Sequence, residues 1–311
     1  SAPLTDPKPD QQQEDQDSGQ LSGRMLILKD RAMYIFTFNE PSAKEYAETI
    51  NRFSVKLQEN DLSATVSSLI VPSAVEFLDN AKYRKLSASQ AKAIDTIEET
   101  LDASIHLIRA DQELAEHKDE YLYFRTDHHW TGLGAYYAYE AFIRDQGFDP
   151  VPIDQYESVT YDDYLGSLYN TSLDPGLKEN PDTITLYLPY AKHSLTITEN
   201  DGKTAKRKVI AKSAKKGYAN FMGGDFPFGH LETEAPDGNL LIVKDSYANA
   251  FIPFLIPHYK NIYIVDLRHY TGDLYSVIRD KQIDQVLFVN NSAVATHTGY
   301  TRILEEKLDL Q

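Results

Sequence analysis

Two apolar runs near the C-terminus, LLIV (240–243) and IYIV (262–265), constrain the fold of this chain more than any other feature. In GNLLIVKDSYANAFIPFLIPHYKNIYIVDLRHY (238–270), a buried apolar strand ends on a polar turn, Lys244-Asp245-Ser246. The chain then passes through a helical stretch and returns as a second apolar strand. The same rhythm is present upstream. RMLILKDRAMYIFTF (24–38) reads as two short strands around a Lys-Asp turn, and PSAKEYAETINRFSVKLQEN (41–60) carries apolar residues at helical spacing. ATVSSLIVP (64–72) is a buried strand stopped by proline, SASQAKAIDTIEETLDA (87–103) is a helix opening on serine, and SIHLIRA (104–110) is another strand. TGLGAYYAYEAFIRDQG (131–147) reads as a helix with a glycine stop. LYSVIRDKQID (274–284) is helical and QVLFVNNSA (285–293) is a last strand. This alternation predicts an α/β fold, a mostly parallel sheet flanked by helices. Sites in such sheets lie beyond the carboxyl ends of strands. Three polar clusters fall there: Lys244-Asp245-Ser246, Asp266 with Arg268, His269 and Tyr270, and Asn290-Asn291-Ser292.

Two segments break the pattern. Residues 1–23 are rich in Pro, Gln, Asp, Ser and Gly, which predicts a disordered linker or stalk of the kind that separates a domain from a membrane anchor. Residues 148–225 hold short alternating runs, DTITLYLPY (182–190) and a hairpin around Asn200-Asp201-Gly202, and read as a β-rich insertion. Residues 24–147 and 226–311 then make up the α/β domain. The insertion also gathers Lys192, Lys203, Lys206, Arg207, Lys208, Lys212, Lys215 and Lys216. That cluster could meet an anionic polymer or lipid head groups, or be a solvated hairpin face.

Composition excludes several functions. A net charge of −16 argues against a nucleic-acid binder. The absence of cysteine removes disulfides and zinc–thiolate sites. No apolar stretch is long enough to span a bilayer. The 21 tyrosines suit a carbohydrate surface or an interface, and equally a drift in composition.

The residues that carry chemistry lie in two places. Ser246, on a sharp turn between strand and helix, would expose its hydroxyl near backbone N–H groups that favour an oxyanion. A serine there is also an ordinary helix cap. In YFRTDHHWTGLG (123–134), Asp127 and His129 are two residues apart, so an extended backbone turns both to one side and His128 to the other. Asp127 would orient His129, and His129 would take the proton of Ser246. Adjacent His128 and His129 suit one metal ion poorly, so neither a metal nor another cofactor is expected. Trp130 either touches substrate or packs in the core. Gly223 and Gly224 could bring a backbone amide to an oxyanion or form an ordinary turn. Asn249 and Asn290 are candidate side-chain donors, and Arg268, His269 and Tyr270 could line an acceptor groove.

TDHHWT together with LLIVKDSYANAFIPFLIPHYKNIYIVDLRHY resembles the DHHW family of bacterial proteins, from about residue 24 onward. That family is similar to the alginate O-acetyltransferases within the SGNH-hydrolase-like, flavodoxin-like superfamily. The resemblance implies a circularly permuted motif order, with acid Asp127 and base His129 preceding nucleophile Ser246. The glycine usual before the Asp-Ser pair is replaced by Lys244, a departure that bears on the backbone geometry of the turn. The implied activity is extracytoplasmic O-acetylation of an exopolysaccharide or cell-wall polysaccharide through an acetyl-serine. Its implied partners are the polysaccharide acceptor and a membrane-bound acyltransferase as acetyl donor, with the protein tethered at the cell surface. Carbohydrate O-acetyl esterase activity and non-catalytic polysaccharide binding are the alternatives.

Overall fold

The computed structural model describes residues 19–308. Strands β1 (Gln20–Ser22), β2 (Met25–Ile27) and β3 (Ala32–Tyr34) form a small antiparallel ribbon. The stalk predicted for residues 1–23 therefore ends sooner than expected, because β1 pairs with β2; residues 1–18 lie outside the described residues.

The central sheet is built from β4 (Thr65–Val71), β5 (Ile105–Ile108), β8 (His193–Thr198), β9 (Thr204–Arg207), β10 (Phe228–Thr233), β11 (Asn239–Lys244), β12 (Asn261–Asp266) and β13 (Gln285–Asn291). Its order is β5-β4-β13-β11-β12-β10-β8-β9. The first five strands run parallel and the last three add antiparallel. A further pair, β6 (Glu157–Tyr164) and β7 (Asp182–Leu188), forms a separate two-stranded sheet. Within the predicted insertion 148–225, β6 and β7 thus stand apart from the central sheet. The hairpin β8–β9 does not, since β10 pairs β8 on one side and β12 on the other.

Strand periodicity decides the layers. In β11, Leu240 and Ile242 face one core, with Phe142 of helix Gly132–Asp145 and Phe251. Leu241 and Val243 face the other, with Phe53 of helix Glu40–Glu59, Ile94 of helix Gln90–Thr100 and Leu304 of helix Gly299–Leu308. Both faces of the strand are dry, which is why its sequence is a continuous apolar run rather than an alternating one. Its polar residues are pushed to the carboxyl end. Among the described residues no helix is long and apolar enough to cross a membrane.

The abundant tyrosine serves mostly this interior. Tyr46, Tyr139, Tyr218 and Tyr247 are buried, with their hydroxyls engaged at Asn290, His258, the Ser246 and Tyr247 carbonyls, and the His128 carbonyl respectively. A buried tyrosine needs a partner for its tip, and these supply it. Tyr34, Tyr121 and Tyr190 are the large-area exceptions.

Candidate active site

The turn after β11 is fixed by a carboxylate and by two carbonyls. Asp245 accepts the backbone N–H groups of Tyr247 (2.9 Å) and Asn291 (2.6 Å), tying β11 to the end of β13. Burial raises the Asp245 carboxyl above its ordinary value even though both N–H groups favour the charged form. Beyond Ser246, the Tyr247 carbonyl accepts from Trp130 Nε1 (2.9 Å) and the Tyr218 hydroxyl (3.0 Å). Tyr218 also donates to the Ser246 carbonyl at 3.1 Å. Trp130 is fully buried, so it braces this turn from the core and does not line a substrate surface. The helix that follows is a single turn, Ala248–Phe251, continued by a 3-10 turn. Its dipole is correspondingly short, and the direct asset of the turn is the Ser246 amide, which among the described residues donates to no acceptor.

The other half of the site is a tight loop. Tyr123 and Trp130 face each other across an antiparallel bridge, and Phe124 N donates to the His129 carbonyl at 3.3 Å. Residues 125–129 are therefore a chain of bends and not the extended run that the two-residue spacing presupposed. The pairing arises by another route: Asp127 Oδ1 accepts both the His129 backbone N–H (3.0 Å) and His129 Nδ1 (2.6 Å). Asp127 Oδ2 accepts the Tyr164 hydroxyl (2.7 Å) and Ser167 N (2.9 Å). Burial pushes the Asp127 carboxyl up. The hydrogen bond and charge of His129, the charge of His128 and the Ser167 N–H outweigh it and hold the group well below the usual carboxylate range. Asp127 is thus ionised at neutral pH, which directs the Nδ1 proton of His129 toward it and leaves Nε2 as an acceptor. His129 Nε2 lies 2.8 Å from Ser246 Oγ.

The imidazole of His129 packs against two rings. Tyr218 stacks on it at 3.7 Å and 6°, and His128 lies tilted against it at 3.8 Å and 36°. His128 contributes through that ring contact and through Nδ1, 2.6 Å from Ser167 Oγ. Burial and the neighbouring His129 push its pKa down to about 4, against the pull of Asp127. It is therefore neutral at pH 7 and adds no positive charge beside His129. Each Asp127 oxygen is already engaged, so the close grouping of Asp127, His128 and His129 is organised for hydrogen bonding.

A hydroxyl bonded to an imidazole that a carboxylate orients is the arrangement that activates serine for attack on an acyl carbon. Asp127, His129 and Ser246 are the expected residues that the structure brings into contact. The remaining candidates sit elsewhere in the network. Gly224 N donates to the Phe221 carbonyl (3.1 Å), and the Gly223 carbonyl accepts from Arg207 (3.3 Å). Both glycines have positive φ, so their place in the turn is a backbone requirement. Asn290 is fully buried, and its Oδ1 accepts the Tyr46 hydroxyl. Asn249 Nδ2 donates to Asp225 (2.9 Å), while its buried Oδ1 has no partner among the described residues. Arg268 is bound to Asp266 and Asp225, and Tyr270 packs against Phe228. His269 is exposed at the same strand end. The cavity that reaches Asp127 and His128 lies between the β2–β3 ribbon and residues 291–297. It has a volume of about 320 Å³, and Arg24, Phe36, Tyr247 and His297 are among its walls.

Sequence reasoning passed over the supports. Asp182, the first residue of β7, is buried beneath the loop and accepts Arg125 N (2.7 Å), Thr126 N (2.8 Å), Thr126 Oγ1 (2.5 Å) and the Tyr121 hydroxyl. Gly166 packs so closely that a Cβ there would lie 2.3 Å from that of Asp127. No local pattern marks these residues, because their partners are tens of positions away. Asp182→Asn would turn an amide group toward donors that need acceptors, at about 1–3 kcal/mol for each donor left unsatisfied. The expected result is a lower urea midpoint at unchanged m value, and a larger loss in kcat than in KM for any ester the protein cleaves.

Comparison with known proteins places these features in a family. No curated protein sequence matches the chain. A crystal structure of a DHHW family protein from Eubacterium siraeum is similar at 28% identity, with a TM-score of 0.87 over 94% of this chain and 99% of that one. PatB1 of Bacillus cereus has the same fold at 22% identity, with a TM-score of 0.72 over 89% of this chain and 96% of that one. Its structure with a sulfonyl adduct gives 23% identity and a TM-score of 0.73 over 87% and 95%. The sequence profile described as DHHW protein matches residues 6–265, and the chain belongs to that family.

Proposed function

We propose that this protein is an O-acetyltransferase that acts outside the cytoplasm on a polysaccharide, with Ser246 as nucleophile, His129 as base and Asp127 as the group that orients it. The observation that carries this reading is the unbroken chain from Asp127 to His129 Nδ1 (2.6 Å) and from His129 Nε2 to Ser246 Oγ (2.8 Å). In the first half-reaction Ser246 Oγ attacks the acetyl carbonyl carbon as its proton passes to His129 Nε2. The C–O bond to the donor breaks, and His129 returns the proton to the departing oxygen. In the second, His129 takes the proton of a sugar hydroxyl, that oxygen attacks the acetyl-serine, and Ser246 leaves reprotonated. The Ser246 amide, which donates to no acceptor among the described residues, would stabilise the oxyanion in both steps. A membrane-bound acyltransferase is the donor that the family resemblance favours.

Water in place of the sugar hydroxyl gives esterase activity on the same residues, so the test measures partition. The protein is incubated with p-nitrophenyl acetate and a soluble oligosaccharide series, and acetylated sugar and free acetate are both quantified. A transferase yields acetylated sugar at the expense of acetate as acceptor concentration rises. Acetate release that no acceptor reduces, with no acetylated sugar formed, assigns the protein as an esterase.

A further inference from the structure

Residues 203–216 hold seven of the chain's 31 basic residues and none of its 47 acidic ones. The structure turns that composition into a surface. Strand β9 is the free edge of the central sheet, and the segment beyond it folds back on itself. Ala211 N donates to the Asn220 carbonyl and Met222 N to the Val209 carbonyl, while buried Asn220 clamps both backbone groups of Ser213. The lysines therefore stand on a braced loop. Lys208, Lys212, Lys215 and Lys216 are exposed, and among the described residues none has a carboxylate within ion-pair distance. Lys192 and Lys203, by contrast, are paired with Glu234 and Asp201. Arg207, fixed against Phe226 and the Gly223 carbonyl, joins Lys208 and Lys216 in lining an open concavity of about 420 Å³.

The loop leads straight into the candidate site. Lys216 precedes Gly217, which packs on Tyr164, and Tyr218, which stacks on His129. Two residues of extended chain reach at most about 7 Å between Cα atoms, so Lys216 is a near neighbour of the tyrosine that stacks on His129. Lys203 aside, six of the seven charges have no carboxylate within ion-pair distance among the described residues, and like charges gathered in this way repel one another and attract an anion. A lipid surface is the weaker candidate for that anion. Membrane association of this kind gains from apolar side chains inserted beside the charges, and none of the large exposed apolar residues, such as Leu21, Val55, Leu86, Phe148 and Leu173, lies in this segment.

We infer that the β9 edge and the loop 208–216 form a binding site for an anionic polysaccharide bearing carboxylate or phosphate groups, and that this site feeds the acceptor chain toward Ser246. The role as acceptor site rests on the proposed acetyltransfer; the binding itself does not, and it is measured without catalysis. The probes are polygalacturonate and long-chain polyphosphate, with dextran as the neutral polymer and phosphatidylglycerol vesicles as the lipid surface. At low salt at least one polyanion should bind at least about tenfold tighter than dextran, with Kd rising steeply as salt is added. The Lys208→Gln/Lys212→Gln/Lys215→Gln/Lys216→Gln variant should lose about tenfold or more and show a shallower salt dependence, and the corresponding four arginine substitutions should restore both. Equal binding by wild type and the glutamine variant overturns the inference. So does binding of the vesicles in preference to both polymers. Polyanion binding by a protein that cleaves no ester keeps this site and removes the acetyltransferase reading instead.

Discussion

Ser246→Ala is expected to lower turnover of p-nitrophenyl acetate by at least about 10³-fold, to the level that binding and the oxyanion donor alone sustain. The substitution removes one oxygen from a braced turn. Asp245 still accepts Tyr247 N and Asn291 N, and the two carbonyls that Tyr218 and Trp130 hold are backbone groups. Folding should be unaffected, so the loss falls on chemistry. His129→Ala should cost a comparable factor, and the double variant little more than either, because residues that act as a unit are not additive. Asp127→Asn gives a further check. The amide cannot carry the negative charge that favours the Nδ1–H tautomer of His129, so kcat should drop steeply while KM changes little. Wild-type turnover that survives in Ser246→Ala would refute the assignment of the nucleophile.

How far the sequence alone reaches is clear from where its signals are local. The strand-turn-helix around Ser246 was legible because LLIV is a dry strand and the polar triplet after it has nowhere to go but the sheet's carboxyl edge. The Asp127–His129 pairing was legible by spacing, although the assumed extended backbone is a bent loop closed by the Tyr123–Trp130 bridge. What spacing could not supply was the scaffold under that loop. Asp182, Tyr164, Gly166 and Ser167 come from the stretch read as an insertion: Tyr164 and Ser167 donate to the Asp127 carboxylate, Gly166 packs against it, and Asp182 holds the Arg125 and Thr126 backbone just before it. Tyr218, which stacks on His129, comes from the end of the same stretch. Each of these contacts spans roughly forty to ninety positions, and such pairings leave no periodic trace. The candidate donors show another limit: Asn249 spends its amide N–H on Asp225, while buried Asn290 accepts the Tyr46 hydroxyl through Oδ1 and keeps an Nδ2 with no partner among the described residues, and neither arrangement has a local sequence mark.

Lys244→Met is expected to destabilise the domain by about 3–5 kcal/mol, the usual result of leaving a buried charge without its partner. Lys244 stands immediately before the Asp-Ser pair, and its side chain is fully buried. Nζ donates to Asp225 Oδ1 (2.9 Å) and Asp266 Oδ2 (3.1 Å). Arg268 completes the cluster by donating to both acids. Without the lysine, two carboxylates share one guanidinium, and the buried Asp266 takes the larger penalty because water cannot reach it. Adding Asp266→Asn should therefore recover part of the loss, a coupling that independent sites would not show. The pH dependence supplies a second signature. Burial raises the Asp225 carboxyl, but the charges of Lys244 and Arg268 outweigh it and hold the group below its ordinary range. A depressed carboxyl adds stability above the unfolded value near 4, and that stability is lost as pH falls toward the folded value. Urea midpoints of the wild type should therefore decline through the acid range, while those of Lys244→Met, with one of the two depressing charges gone, should decline less. Turnover should fall too, because Asp225 also holds Asn249, three residues past Ser246. A variant as stable as the wild type would mean that Arg268 alone neutralises both acids, and the lysine would then be dispensable to the turn that presents Ser246.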